Sequence, residues 1–210
     1  MNLQYYYWYF KSAISPQHCD DIINLALKQK DKLGLIGYLS QKKELNKKDI
    51  KDLKQQRNSN ITWIDLPWVY KLIQPYVHVA NKNAGWNFEW DWSESCQFTK
   101  YKKDQFYDWH CDSWDKPYDN PENQNIHGKI RKLSVTVSLS DPKNYKGGEL
   151  EFDLKNQPPK SKKKTKITCK EILPRGSVVV FPSFIWHRVK PVVKGTRYSL
   201  VMWNCGYPFR

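Results

Sequence analysis

A mainly β fold with flanking helices is predicted, an α+β arrangement in which a β-sandwich or jelly roll is buttressed by N-terminal helices. Three features predict it. The apolar spacing changes from three and four residues to two near residue 86. Short strand-like runs then recur to the end of the chain, parted by turn residues such as Gly147-Gly148 and Pro174-Arg175-Gly176. Aromatic residues make up 15% of the 210, with ten Trp and thirteen Tyr, which supplies a sizeable core and excludes a disordered chain.

The elements follow in order. Residues 3–13 read as an opening strand. Ser15 can cap a helix and Pro16 suits its first position, with Ile22, Ile23, Leu25, Ala26 and Leu27 as the apolar face. Residues 28–57 carry ten Lys/Arg against four Asp/Glu and read as a solvated loop with a short helix from Asp49 to Gln56. Residues 67–83 read as a helix opened by Pro67, which Pro75 should kink or split. Strands are expected near 87–92, 95–102, 106–112, 131–140, 148–154, 166–173, 177–182, 185–190 and 196–205. In Leu133-Ser134-Val135-Thr136-Val137-Ser138-Leu139 the alternation is strict. Residues 1–210 thus read as a single domain, with 1–85 as helical support and 86–210 as the jelly-roll core.

Net charge is +14, which points to acidic partners: nucleic acid, an anionic surface or acidic protein. Residues 155–170 hold seven Lys and no acid, the pattern of a solvated hairpin tip. Five scattered Cys without a Cys-x-x-Cys pair read as reduced thiols, not as a disulfide frame or a zinc site. The aromatic start lacks the marks of a signal peptide, and no run approaches the ~18 apolar residues of a membrane span. A cytoplasmic protein without membrane partners is expected, and the Lys/Asn/Ile/Tyr-heavy composition is compatible with a microbial or viral source.

The chemistry centres on His110-Cys111-Asp112, followed later in the row by His187 and Arg197. Side chains at i and i+2 of a strand share a face, so His110 and Asp112 project together and Cys111 points away. One more imidazole from a neighbouring strand completes two His and one carboxylate. That set holds non-haem Fe(II) and leaves positions open. A cation on the following strand could bind a dicarboxylic acid beside the metal. Taken alone, His-x-Asp is a weak signal. Its weight here comes from context: two of only five histidines lie in strand-like segments with polar partners at strand spacing.

Three longer matches add to this reading. Tyr101-Lys102-Lys103-Asp104-Gln105-Phe106-Tyr107-Asp108-Trp109-His110-Cys111-Asp112 is the first. Leu133 to Pro142 with Tyr145-Lys146-Gly147-Gly148-Glu149-Leu150 is the second. Gly176 to Ser183, His187-Arg188-Val189, Pro191-Val192, Gly195 to Leu200 and Trp203 form the third. Together they resemble 2-oxoglutarate/Fe(II) oxygenases of the prolyl 4-hydroxylase type. The resemblance covers most of the chain and is weakest over 28–60 and 155–170. Asp104 departs from it, standing where the family often has Gly; Asp tolerates positive φ at modest cost.

The resemblance implies a double-stranded β-helix, the cupin-like jelly roll. It implies Fe(II) on His110, Asp112 and His187, and Arg197 on the distal carboxylate of 2-oxoglutarate. Tyr101 is placed to donate its phenol to that carboxylate. Ser199 and Trp203 share the face of Arg197, so Ser199 could add a hydroxyl. O2 is the further co-substrate, and ascorbate belongs to the implied cofactor set. The implied reaction hydroxylates a substrate C–H bond and yields succinate and CO2, with a prolyl residue of a peptide or protein as the leading substrate. Trp109, Trp114, Tyr118 and Trp186 are candidates for an aromatic rim around such a chain. His127 could face the substrate, whereas His18 and His78 read as surface or packing residues. A nucleic-acid substrate is the alternative that the charge motivates, with a small molecule beside it. The acids of 104–122 count against nucleic acid. A jelly roll that only binds is the third reading.

Overall fold

The computed structural model describes residues 3–36, 39, 42, 44–154 and 165–209. Of the expected tip at 155–170, residues 155–164 lie outside the described residues. Three helices precede most of the sheet: α1 (Pro16–Leu27), α2 (Lys47–Gln56) and α3 (Pro67–Asn83). Ser15 caps α1, accepting the His18 N–H at 3.1 Å, with Pro16 in the first turn. Asn46 and Asp49 form a reciprocal capping box on α2. Pro75 sits inside one continuous α3 instead of splitting it. The buried stripe Val69, Ile73, Val77 and Ala80 holds the helix on the sheet and offsets the lost N–H.

The strands are β1 (Trp8–Phe10), β2 (Lys32–Leu33), β3 (Arg57–Asn58), β4 (Asn60–Ile64), β5 (Trp92–Ser93), β6 (Cys96–Tyr101), β7 (Phe106–His110), β8 (Ile130–Ser138), β9 (Tyr145–Gly147), β10 (Leu150–Asp153), β11 (Lys166–Thr168), β12 (Val178–Pro182), β13 (Trp186–Val189), β14 (Val192–Gly195) and β15 (Arg197–Gly206). The larger sheet runs β1-β12-β8-β15-β6-β4-β2, with β5 on β15. The smaller runs β11-β10-β13-β7-β3, and β14 pairs β9. All the pairs are antiparallel. This is the predicted jelly roll with helices on its larger sheet.

Strand alternation sorts two cores. Leu133, Val135, Val137, Val178, Val180, Leu200 and Met202 face Cys19, Ile22 and Ala26 of α1 and the stripe of α3. Val179 and Phe181, one residue out of phase, turn inward onto Leu150, Phe152, Ile172 and Ile185. Emptying a fully buried site such as Ile73 by substitution to Ala costs about 2–5 kcal/mol. The polar half of β8 does not face water: Ser134, Thr136 and Ser138 are buried. Of these, Ser134 reaches Asp112 and Thr136 lines the cavity beside it.

Several expectations are corrected. The opening strand is only Trp8–Phe10, and of 87–92 only Trp92 is in strand. The 166–173 run stops at Thr168, before a 3-10 turn over Lys170–Ile172. Residues 28–57 are not one solvated loop. They contain β2, a helix that starts at Lys47, and Arg57, which is 4% exposed. Strand β4, not anticipated, adds an edge beside β6. No described helix is long and apolar enough to cross a membrane.

Candidate active site

His110 ends β7 and stands directly across from His187 of β13 in the ladder register. Cross-strand neighbours project to one face, which brings the imidazoles together with ring centroids 4.1 Å apart. Asp112 reaches them differently from the expected continuous strand. The chain leaves the sheet after His110, and the N–H groups of Asp112 and Ser113 both donate to the carbonyl of Ser183 at 2.8 and 2.9 Å. This turn sets Asp112 Oδ1 3.8 Å from His110 Nε2 and Oδ2 3.6 Å from His187 Nε2. The three ligand atoms lie within 4.8 Å of one another and can hold one metal ion.

Surrounding groups aim those atoms. Nδ1 of His110 lies 2.7 Å from the Asp108 carbonyl and Nδ1 of His187 lies 2.9 Å from the Ile185 carbonyl. Donation from each Nδ1–H leaves the Nε2 lone pair for a metal. Tyr107 stacks on His110 at 3.5 Å, and Phe181 meets His187 edge-on at 4.7 Å. Burial, and next the neighbouring His187, push His110 well below the usual histidine range, so it stays neutral. Burial alone would raise Asp112. His187, His110, Arg131 and the Ser134 hydroxyl outweigh it and hold the carboxyl below its ordinary range. A neutral imidazole and a carboxylate anion are the forms that bind a divalent cation.

Arg197, Tyr101 and Ser199 line the same compact cavity as the three ligands. Arg197 and Tyr101 are cross-strand partners on β15 and β6. The guanidinium is 2% exposed and lies 5.5 Å over the Tyr101 ring, and its Nη1 donates to Ser199 Oγ at 3.2 Å. Among the described residues no carboxylate pairs with it. Gly148 lets the arginine pass, because a Cβ there would lie 2.8 Å from Arg197 Cδ. Burial pushes the Tyr101 phenol up and keeps it a donor. A buried guanidinium lacking an anion is costly until a carboxylate ligand arrives, and its fork fits one well.

A second cavity of about 530 Å³ opens on the other side of Asp112. Trp63, Trp114, Tyr118 and Trp203 line it, with Arg57, Arg131 and Glu94. Glu94 binds Arg131 through two 2.6 Å hydrogen bonds, and Arg131 lies 3.8 Å over the Trp203 ring. Of the expected rim, Trp114 and Tyr118 are present, whereas Trp109 and Trp186 are not. Trp109 lies instead beside Arg188 and Lys166. Cys111 lines this outer cavity. His127 accepts from the Asn120 N–H within its own loop. Asp104 has φ of 65°, the conformation anticipated for a Gly position.

Two contributors were not singled out from the sequence. Ser134, whose hydroxyl bonds Asp112, was read as one polar face of a strand. Arg57 was hidden in a lysine-rich stretch. Its one local signal is the Arg57-Asn58-Ser59 run ahead of the apolar residues of β4.

Comparison with known proteins decides the family. Residues 96–205, just over half of the chain, match the model of the 2OG-Fe(II) oxygenase superfamily. The chain belongs to that superfamily. A PKHD-type hydroxylase of Hyphomonas neptunium is 37% identical over 93 residues, 44% of this chain and 37% of that protein. The PKHD-type hydroxylase YbiX of Escherichia coli O1:K1 / APEC is 34% identical over 107 residues, 50% and 40%. The matched region thus spans about two fifths of these relatives' length. Among solved structures, the viral collagen prolyl hydroxylase of Paramecium Bursaria Chlorella virus-1, in its 2OG complex, superposes with a TM-score of 0.63 at 22% identity, covering 97% of both chains. A Pseudomonas putida prolyl-4-hydroxylase gives 0.64 at 16% identity over 96% and 92%. The chain therefore has the fold of these two prolyl hydroxylases. Its donors fit the group the family implies: two imidazoles and one carboxylate converge as Fe(II) requires, and Arg197 is an unmatched cation beside them.

Proposed function

We propose that the protein is a 2-oxoglutarate- and Fe(II)-dependent dioxygenase that hydroxylates a prolyl residue in a peptide or protein, with succinate and CO2 as co-products. The convergence of His110, Asp112 and His187 beside the unpaired Arg197 carries this reading. Bound Fe(II) would supply the activation of O2, coupled to oxidative decarboxylation of 2-oxoglutarate. The chain's own residues do the rest. His110, Asp112 and His187 would hold the metal. Arg197 pairs with the distal carboxylate, and Ser199 and Tyr101 direct hydroxyls at the same end. Leu150, Phe181 and Val189 wall that cavity and exclude water. Trp63, Trp114, Tyr118 and Trp203 offer an extended chain the aromatic groove that polyproline-like segments use.

The prolyl substrate draws support from solved neighbours, among them a Trichoplax adhaerens prolyl hydroxylase in complex with a hypoxia inducible factor peptide fragment. Nothing in the comparisons favours nucleic acid. The same proposal takes 1–210 as one oxygenase domain, since α1 and α3 share a core with the larger sheet. Ascorbate remains its accessory reductant.

The test is succinate formation from 2-oxoglutarate by the Fe(II)-loaded protein in air, with and without proline-rich peptides, against His187→Ala. Peptide-stimulated succinate, absent in the variant, with oxygen mapped to proline by mass spectrometry, is the expected result. Metal-dependent succinate that no peptide stimulates would remove the prolyl assignment.

A further inference from the structure

The outer cavity carries more positive charge than the protein neutralises. Its charged lining is Lys32, Arg57, Arg131, Glu94 and Asp112. Glu94 is committed to Arg131 through both of its oxygens. Asp112 faces the metal site. Arg57 and Lys32 are left, and among the described residues neither has an acidic partner. The acids that lie near the ligands in sequence do not help: Asp104, Asp108, Asp115, Asp119 and Glu122 are not part of the cavity wall.

Arg57 is fixed in place. Its Nε donates to Ser59 Oγ at 2.9 Å and its Nη1 to the Leu35 carbonyl at 2.8 Å. The guanidinium lies 4.5 Å over the Tyr107 ring, whose other face carries His110 at 3.5 Å. The cation is thus one aromatic ring away from an iron ligand. Gly34 makes room for it, because a Cβ there would lie 2.6 Å from Arg57 Nε. Its Nη2 is buried without a hydrogen-bond partner. Neutral partners do not cancel a charge, and a buried cation of this kind is costly until an anion comes near. Lys32 is exposed and adds a second cation to the same wall. The remaining walls are apolar and aromatic, including Leu33, Ile36 and Trp114.

We propose that the substrate carries a carboxylate within a residue or two of the carbon to be hydroxylated, and that Arg57, assisted by Lys32, is the specificity-determining residue that selects it. This deepens the prolyl reading and rests on it. The carboxylate can come from an Asp or Glu side chain or from the end of a peptide, since both offer the same anion to a cation in a low-dielectric wall.

The test uses short proline peptides matched in length. One series places Asp, Asn or Lys beside the proline in an amidated peptide. The other ends in a free acid or an amide next to the proline. A third set replaces the proline with alanine. Binding to the metal-free protein is read by tryptophan fluorescence, and oxygen gain by mass spectrometry with Fe(II) and 2-oxoglutarate present. Asp or free-acid peptides are expected to bind about tenfold more tightly than Asn or amide peptides, the span of one charge-assisted contact. Lys peptides should bind least. The preference should collapse in Arg57→Met and shrink several-fold in Lys32→Glu, an exposed change that keeps the test available if the buried variant fails to fold. The two peptide series tell side chain from chain end.

Equal binding of Asp, Asn and Lys peptides, with oxygen gained by all, would overturn the carboxylate inference and leave the prolyl reading intact. Acid-selective binding lost in the variants, with no peptide gaining oxygen, would sink the prolyl reading and keep the inference. Binding of an oligonucleotide that depends on Arg57, with no peptide bound, would overturn the inference, as would no peptide binding at all.

Discussion

Ser134 donates its hydroxyl to Asp112 Oδ2 at 2.7 Å, from the inward face of β8 to the carboxylate between the two imidazoles. Ser183, whose carbonyl takes the Asp112 N–H, lies 2.9 Å from the same hydroxyl. The carboxylate is thus held by backbone and side chain together. Ser134→Ala should lower Fe(II) affinity about tenfold, the usual scale for a group that orients a ligand. Unfolding should shift by only about 1–2 kcal/mol. Metal titration of the folded variant, with thermal melts beside it, checks both.

Glu94 and Arg131 form a largely buried charge pair in the wall of the outer cavity, with side chains 17% and 14% exposed. Glu94→Gln leaves Arg131 without its counter-ion and should destabilise the fold by about 3 kcal/mol, measured by denaturant titration at neutral pH.

The same pair predicts a pH signature. Burial tends to raise the Glu94 carboxyl, but Arg131, through its charge and hydrogen bonds, with Tyr118 and Cys205 also donating, holds it below its ordinary range. A group depressed in the folded state gives stability that is present above its unfolded value, near 4.5, and is lost as pH falls through the folded value. The stability gap between wild type and Glu94→Gln should be constant at neutral pH and shrink below about pH 4.5. A gap that stays constant down to pH 3 would count against the pair.

Arg197 and Gly148 predict a separation of ligands. Arg197→Lys removes the fork and should weaken 2-oxoglutarate about tenfold or more, with metal affinity unchanged. Gly148→Ala should act in the same direction. Its Cβ would press Arg197 Cδ at 2.8 Å and Val192 Cγ2 at 3.0 Å, at a backbone φ of 69° that disfavours a side chain. Calorimetric titration of metal and then of 2-oxoglutarate distinguishes the two effects.

These residues also show how far local pattern reaches. The period-two runs located most strands, and strand alternation put Arg197 and Ser199 on one face, as they are. His110 and His187 meet because two distant strands pair in register, which no local pattern specifies. Asp112 joins the two imidazoles by a route that strand alternation does not describe: the strand ends before it, and a bond to Ser183 brings its carboxylate back. Alternation on β8 was legible, but not that both of its faces are buried. Ser134 belongs to the polar face of that alternation, and the inside of this roll is polar where it meets the ligands. Arg57 was lost to averaging. A window rich in lysine reads as solvated, and only the tertiary approach of Gly34 and Tyr107 draws one of its cations inward.

The most direct measurement is anaerobic titration of the metal-free protein with Fe(II) and then with 2-oxoglutarate, for wild type and His187→Ala. Wild type should bind one Fe(II) per chain and should bind 2-oxoglutarate tightly only once the metal is present, and the variant should lose both. Unchanged metal affinity in the variant, or 2-oxoglutarate binding equally well without metal, would contradict that expectation.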